Sequence, residues 1–288
     1  MPSKTKKKAA YYFLTTLVIT AVLVWYAVFQ VEAQGELLRV HFFDVGQGDA
    51  IFIEAPNGNQ VLIDGGPDNS VLAKLGEAMP FWDRSIDLII LTHPHADHLD
   101  GLVEVLKRYD VETVLENGVN HTIPEYAEWH ELLEKKNVKV VIAKAGQRIY
   151  LSGAAYLDIL APSEDFVGKS AKDMHDAAIV SRLAYASTAV LFMADAERQL
   201  EYKLLNSDID ADILKVGHHG SKTSSSEGFL EAVSPEVAII SAGRKNRYGH
   251  PHQEVVDRLS RLGIKIFRTD TVGDIELVSD GQSYKIID

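Results

Sequence analysis

The chain has 288 residues, 46% of them hydrophobic, enough for a sizeable core in one large domain or two small ones. It contains no cysteine, which excludes disulfides and thiolate ligands and leaves His, Asp, Glu and backbone groups for any metal. The net charge is −12; setting aside Lys4, Lys6, Lys7 and Lys8 leaves 25 basic against 41 acidic residues, or −16, so there is no whole-surface basic footprint for nucleic acid, and a phosphate-bearing substrate has to be held locally.

Residues 11–29 carry no charge. About 19 residues at a rise of about 1.5 Å give roughly 28 Å of helix, close to the thickness of a bilayer core. The four lysines in front favour a cytoplasmic N-terminus, and Tyr11, Tyr12, Trp25 and Tyr26 lie near the ends, where aromatic rings suit the interface. An uncleaved single-pass anchor is the preferred reading, with the rest of the chain extracytoplasmic. A removed signal peptide competes with it, because Val31-Glu32-Ala33 offers small residues where a signal peptidase cuts, and the protein would then be secreted. A buried core helix is the third reading. The expected division is a basic tail with anchor or signal over residues 1–35, then a folded domain over 36–288.

After a short linker, Leu37–Phe43 reads as a strand, and Asp44–Ala50 as a turn in which Gly46 and Gly48 allow unusual backbone angles. Ala50–Glu54 and Gln60–Ile63 read as strands joined by a Pro56–Asn59 hairpin turn, and Val71–Met79 as an amphipathic helix. Ile86–Leu91 is an apolar, buried-strand run, and His98–Leu106 starts a helix. Further on, a short strand centres on Val114, Glu125–Lys136 is a helix, Val138–Ile142 a strand, and Tyr150–Leu160 one or two strands. Ala178–Ala184 and Ala189–Met193 form a hairpin pattern. Helices are expected at Ala196–Leu205, Gly228–Ala232 and His252–Leu262, and strands at Ala211–Val216, Val237–Ser241, Lys265–Arg268, Ile275–Val278 and Tyr284–Ile287. Antiparallel runs with interspersed helices, in two similar halves, suggest two sheets packed face to face with helices outside.

Between the Ile86–Leu91 strand and the helix lies L-T-H-P-H-A-D-H-L-D-G, residues 91–101. His93, His95, Asp97 and His98 fall within six residues on one strand-to-helix turn. Alternation at the strand end sends His93 and His95 to one side, and the turn brings Asp97 and His98 beside them. Imidazole and carboxylate together suit zinc, manganese or iron.

H-x-H-x-D-H after an apolar strand resembles the signature of the metallo-β-lactamase superfamily. D-V-G-Q-G-D at 44–49, L-I-D-G-G at 62–66, L-K-V-G-H-H-G-S-K-T-S at 214–224 and N-R-Y-G-H-P-H at 246–252 narrow the resemblance to the hydrolase domain of the ComEC competence-protein family. It covers nearly the whole chain from about Leu37. In that family the domain usually follows a multi-helix channel; here one transmembrane segment is expected and no channel, so a DNA-conducting role is not.

The resemblance implies an αββα sandwich (α/β, or α+β) preceded by one transmembrane helix, with the site at one edge between the sheets. It implies two divalent ions, Zn²⁺ or Mn²⁺. His93 and His95 would bind the first, Asp97 and His98 the second, with Asp195 bridging and His219 completing the second site. His218 is a substrate contact or the alternative to His219. The bridging aspartate usually follows glycine, but here it follows Ala194. At the first site, His175 or Asp176 could supply the remaining ligand, and Asp176 is slightly preferred.

Two such ions about 3.5–4 Å apart polarise a phosphoryl or carbonyl group, and they lower the pKa of water toward 7. Asp64 is expected behind a ligand histidine, fixing its tautomer. Lys215, Lys222, Arg244, Lys245 and Arg247 could form a local phosphate-binding rim, with Lys222 and Arg247 the preferred contacts. His250 or His252 could donate a proton to the leaving oxygen, and His250 is preferred. Asp49 and Gln47 line the site mouth or form a structural turn. The leading function is an extracytoplasmic, competence-related phosphodiesterase or nuclease on DNA, in which Asp97, Asp195 and His250 serve catalysis and the N-terminal helix meets the membrane. The alternatives are a hydrolase of a small envelope ester, such as a phosphocholine esterase or lactonase, and a non-catalytic binding relative.

Overall fold

A computed structural model of the chain describes Lys8 and residues 12–25, 37–170 and 174–288. Residues 12–25 are helical with exposed side chains, whereas Tyr11, Tyr26 and Val31–Ala33, on which the anchor and cleavage readings also rest, lie outside the described residues. Among the described residues, no helix is long and apolar enough to cross a membrane.

From Leu38 the chain forms two mixed sheets. The first contains β1 (Leu38–Phe42), β2 (Ile51–Glu54), β3 (Gln60–Ile63), β4 (Ser85–Leu91), β5 (Asp110–Glu116) and β6 (Lys139–Ile142), with β14 (Ile275–Ser279) and β15 (Tyr284–Ile287) added beyond β1. The second runs in the order β13 (Lys265–Arg268), β12 (Val237–Ile240), β11 (Ile213–Lys215), β10 (Thr188–Phe192), β9 (Val180–Tyr185), β8 (Ala155–Ala161), β7 (Arg148–Tyr150). The stretch 150–160 thus resolves into the last residue of β7 and most of β8.

Inward-facing side chains of both sheets meet in one apolar layer, with Val40, Phe42, Ile53 and Ile90 on one side and Leu157, Leu183, Phe192 and Ile239 on the other. The outer face of the first sheet is covered by α1 (Ser70–Ala78), α2 (Ala96–Arg108) and α3 (Pro124–Lys136). That of the second is covered by α4 (Arg198–Leu204), α5 (Glu227–Val233) and α6 (Gln253–Arg261). Central strands are buried on both faces, so β3, β10 and β12 are apolar nearly throughout, whereas β1 and β8 alternate. The result is the four-layer αββα sandwich.

The two halves share a device that positions the site. In each sheet a run of parallel strands, β3-β4-β5-β6 and β10-β11-β12-β13, points its carboxyl ends the same way. The segments that follow β3, β4, β10, β11 and β12 carry Asp64, His93–His98, Asp195, His218–His219 and Gly243–His250. In open α/β sheets, ligands bind at such ends.

Close backbone approaches fix these loops. Gly48, at φ +140°, lies so near the metal-ligand turn that a Cβ would stand 2.1 Å from the Asp97 carbonyl oxygen. Gly101 admits the Gly65 carbonyl, which a Cβ would meet at 1.9 Å, so α2 seats against the 64–66 turn. Ala194, where the resemblance implies glycine, sits at φ 47°, and its carbonyl accepts a bond from the His218 N–H at 2.9 Å. A left-handed alanine costs about 1–2 kcal/mol, and glycine gives part of this back through unfolded-state entropy. Ala194→Gly is therefore expected to stabilise the fold by about 0.5–1 kcal/mol, seen as a higher urea midpoint at unchanged slope.

Candidate metal centre

β4 ends at Leu91, and His95, in extended conformation, precedes the first residue of α2. The helix begins at Ala96, two residues earlier than the periodicity suggests, so Asp97 and His98 occupy its first turn. A carboxylate is favoured there by the helix dipole.

Asp195, buried on the loop after β10, lies at the middle of the cluster. Its Oδ1 is 3.4 Å from His98 Nε2 and 3.3 Å from His219 Nε2, which is in turn 3.5 Å from an Asp97 oxygen. Its Oδ2 is 3.7 Å from His93 Nε2 and 3.9 Å from His175 Nε2, and His93 Nε2 lies 3.0 Å from His95 Nδ1. Two four-residue groups result, His93-His95-His175-Asp195 and Asp97-His98-Asp195-His219, each with its donor atoms within 4.8 Å of one another. Donors around one ion with bonds of about 2.1 Å stand roughly 3–4 Å apart, so both groups fit a divalent cation. Three atoms of the second group, His98 Nε2, His219 Nε2 and Asp195 Oδ1, are buried without hydrogen-bond partners. Orphaned polar atoms of that kind call for an explanation, and a cation shared by them supplies one.

The structure gathers His175 into the first group and leaves Asp176 out of both. Both lie on the 3₁₀ turn Met174–Ala177, where successive side chains point about 120° apart, so only one can face Asp195. The sequence pattern did not settle which.

Behind the donors stands a layer of buried polar groups. Asp64 Oδ2 is 2.7 Å from His98 Nδ1 and accepts the Thr92 hydroxyl at 2.7 Å, while the Thr92 N–H donates to Oδ1 at 2.8 Å. This leaves His98 Nε2 to face Asp195. His219 Nδ1 is 3.0 Å from the Ser241 carbonyl oxygen and 3.5 Å from Asp49 Oδ1. Lys215, expected on a phosphate-binding rim, is fully buried at the end of β11, where Nζ donates to Asp49 Oδ2 at 2.6 Å. Two-sided burial of that strand explains why it cannot reach solvent. Asp49 likewise lies beneath the centre rather than at its mouth.

The field in the cluster is strong. Burial disfavours charge on His98, but Asp195, Asp64 and Asp97 outweigh it and hold its pKa well above the usual range. Asp195 and Asp49 likewise overcome burial to push His219 up to about 10. Against burial, His219 and His98 keep Asp195 well below the carboxylate range, and His98 and His219 hold Asp97 at about 2. Burial and His175 lower His95 to about 4. Without metal, the second group thus carries protons that a bound cation would displace.

His218 and Glu197 flank the first group. His218 Nδ1 is 3.1 Å from Glu197 Oε1, its Nε2 lies 3.8 Å from Asp195 Oδ2, and its ring is 4.4 Å from His175. The same Glu197 oxygen accepts the Thr223 hydroxyl at 2.7 Å and stands 3.7 Å from His175 Nδ1. Glu197 was not singled out in the sequence; its position two residues after Asp195 was the available signal. Over the mouth, the His250 ring is 5.5 Å from His218 and 6.2 Å from His219. Burial and His219 lower His250 to about 4. His252 precedes α6, and its Nδ1 accepts the Lys222 N–H at 3.3 Å. Lys222, Arg244, Lys245 and Arg247 have substantial solvent contact.

A sandwich with this donor set at the strand ends defines a class, and the profile of the metallo-beta-lactamase superfamily matches residues 43–244: the chain belongs to that superfamily. Within it, the chain is similar to proteins named for competence and for recombination. The chain is 31% identical over 264 residues to ComE operon protein 3 of Bacillus subtilis, covering 85% of this chain and 33% of that one. It is 33% identical over 245 residues to Recombination protein 2 of Haemophilus influenzae, covering 83% and 28%. The chain therefore spans about a third of the length of these relatives. Among solved structures, YhfI of Bacillus subtilis shares the fold at a TM-score of 0.55 with 13% identity, over 80% of this chain and 95% of that one. Igni18 of Ignicoccus hospitalis does so at 0.53 with 13% identity, over 83% and 98%.

Proposed function

We propose that the chain is a dinuclear metal-dependent phosphodiesterase acting on DNA outside the cytoplasm, tethered through its N-terminal apolar segment. The observation that carries this reading is the division of Asp195, one oxygen turned to His98 and His219 and the other to His93 and His175. A carboxylate so divided suits two ions better than one. His93, His95 and His175 would hold the first, Asp97, His98 and His219 the second, Zn²⁺ or Mn²⁺ in either case. Such a pair, when bound, supplies electrophilic stabilisation of the phosphoryl oxygens and a nucleophile at neutral pH.

The chain's own residues supply the rest. Asp64 fixes which His98 nitrogen faces inward, and Ser241 does the same for His219. His250 is lowered to about 4, so it would first take the proton that the attacking water gives up, at the partnerless Nδ1, and later return it to the leaving oxygen. Lys222 and Arg247, on an acidic surface, provide local charge for phosphates flanking the scissile one. The DNA assignment draws on the competence and recombination relatives.

The test is hydrolysis by the metal-reconstituted full chain with Mn²⁺ or Zn²⁺, against DNA, RNA, bis(p-nitrophenyl)phosphate, a phosphocholine ester and a lactone, with Asp97→Ala as control. Cleavage of DNA that the variant lacks is the expected result. Turnover of the phosphocholine ester or lactone alone would replace it with a small-ester hydrolase, and two ions bound without any turnover would favour a binding relative.

A further inference from the structure

The loop Gly243–Pro251 after β12 is built around one side chain. Asn246 Nδ2 donates to the Gly243 carbonyl at 2.8 Å and to the His250 carbonyl at 2.6 Å, and its Oδ1 accepts the N–H groups of Tyr248 at 3.1 Å and His250 at 3.0 Å. The base of the loop is tied to the other half of the fold, where the Gly243 N–H donates to Gln47 Oε1 at 3.2 Å. A loop bracketed in this way is a rigid platform, and Arg247 and Tyr248 are among the side chains it presents outward, with Arg244 and Lys245.

Tyr248 is 49% exposed. Its ring lies nearly parallel to His250, 21° apart with centroids at 5.7 Å, and His250 in turn stands over His218 and His219. Arg247 donates to the Tyr248 hydroxyl at 2.6 Å, with its guanidinium carbon 4.9 Å from the ring centroid, and Asp97 lies within its electrostatic reach. The cation thus lies over the aromatic ring, and the pair stands one ring away from the metal donors. Every nucleobase offers a π-face to such a ring, and a neighbouring cation suits the phosphate that follows the base. In a duplex those faces are stacked on neighbouring pairs, so only an unpaired base can use the platform.

We infer that Tyr248 is a base-stacking residue and that the centre works on single-stranded nucleic acid, with Arg247 on the adjoining phosphate. The inference rests on the phosphodiesterase reading and adds a residue and a strandedness to it.

The test compares parental protein, Tyr248→Ala and Tyr248→Phe, each full-length and Mn²⁺-loaded, on a single-stranded oligonucleotide and on an abasic strand of the same length. Tyr248→Ala is expected to raise KM for the base-containing strand about ten- to hundredfold with little change in kcat, to leave the abasic strand's KM near the parental value, and to be rescued by phenylalanine. An equal loss on both strands, or no loss on either, overturns the stacking role alone. A parental protein that neither binds nor cuts either strand overturns the phosphodiesterase reading, and this inference with it.

Discussion

Asp195→Asn is expected to cost the protein most of its bound metal and to lower phosphodiester hydrolysis by at least about a thousandfold, or roughly 4 kcal/mol of transition-state stabilisation. Both Asp195 oxygens face imidazole nitrogens, on opposite sides and at 3.3–3.9 Å. A carboxamide keeps the shape but has one oxygen and no charge, so it can serve one cation weakly and cannot serve two. Metal content after dialysis and hydrolysis at saturating Mn²⁺ check this together. Parental metal content with parental rate would show that the central position of Asp195 is structural.

The second large effect is on stability. Lys215→Met is expected to destabilise the metal-free fold by about 3–5 kcal/mol, because it leaves Asp49 ionised in a site closed to water. For a chain of this size that corresponds to a fall in Tm of roughly 10 °C. The lysine and Asp49 are both nearly inaccessible, their contact is 2.6 Å, and the other positive charges that bear on Asp49 are the protonated imidazoles of His219 and His98. Pairing Lys215→Met with Asp49→Asn removes both charges, and the double variant is expected to recover much of the loss. Urea unfolding in EDTA reads all three proteins. A single variant as stable as the parent would show that water reaches Asp49.

Much of the framework was legible in the sequence because it rests on local signals. The apolar run of β4 and the H-x-H-x-D-H turn announce themselves within a dozen residues, and the alternating and continuous apolar strands give the two halves. The choice between His175 and Asp176 was not legible, since it depends on the phase of a single 3₁₀ turn relative to a loop more than seventy residues away. Lys215 was misread for a similar reason. A lysine beside H-H-G-S looks like a phosphate contact until the strand carrying it is found in the middle of a sheet, with Asp49 from the other half beneath it. Glu197 and Tyr248 gain their settings only when four separate loops converge, and no periodicity encodes that.

The wedge of residues 44–50 has a consequence for how the protein comes into being. Asp49 reaches Lys215 across 166 residues of chain, Gln47 holds Gly243, and Gly48 presses on the Asp97 carbonyl. Closing so long a loop costs entropy that is regained only when both sheets have docked. The first half of the chain thus emerges from synthesis carrying His93 to His98 with no counterpart for them, and neither half alone can assemble the pair of donor groups. Competence to hold metal becomes a certificate of completed folding, issued late and only to the whole domain.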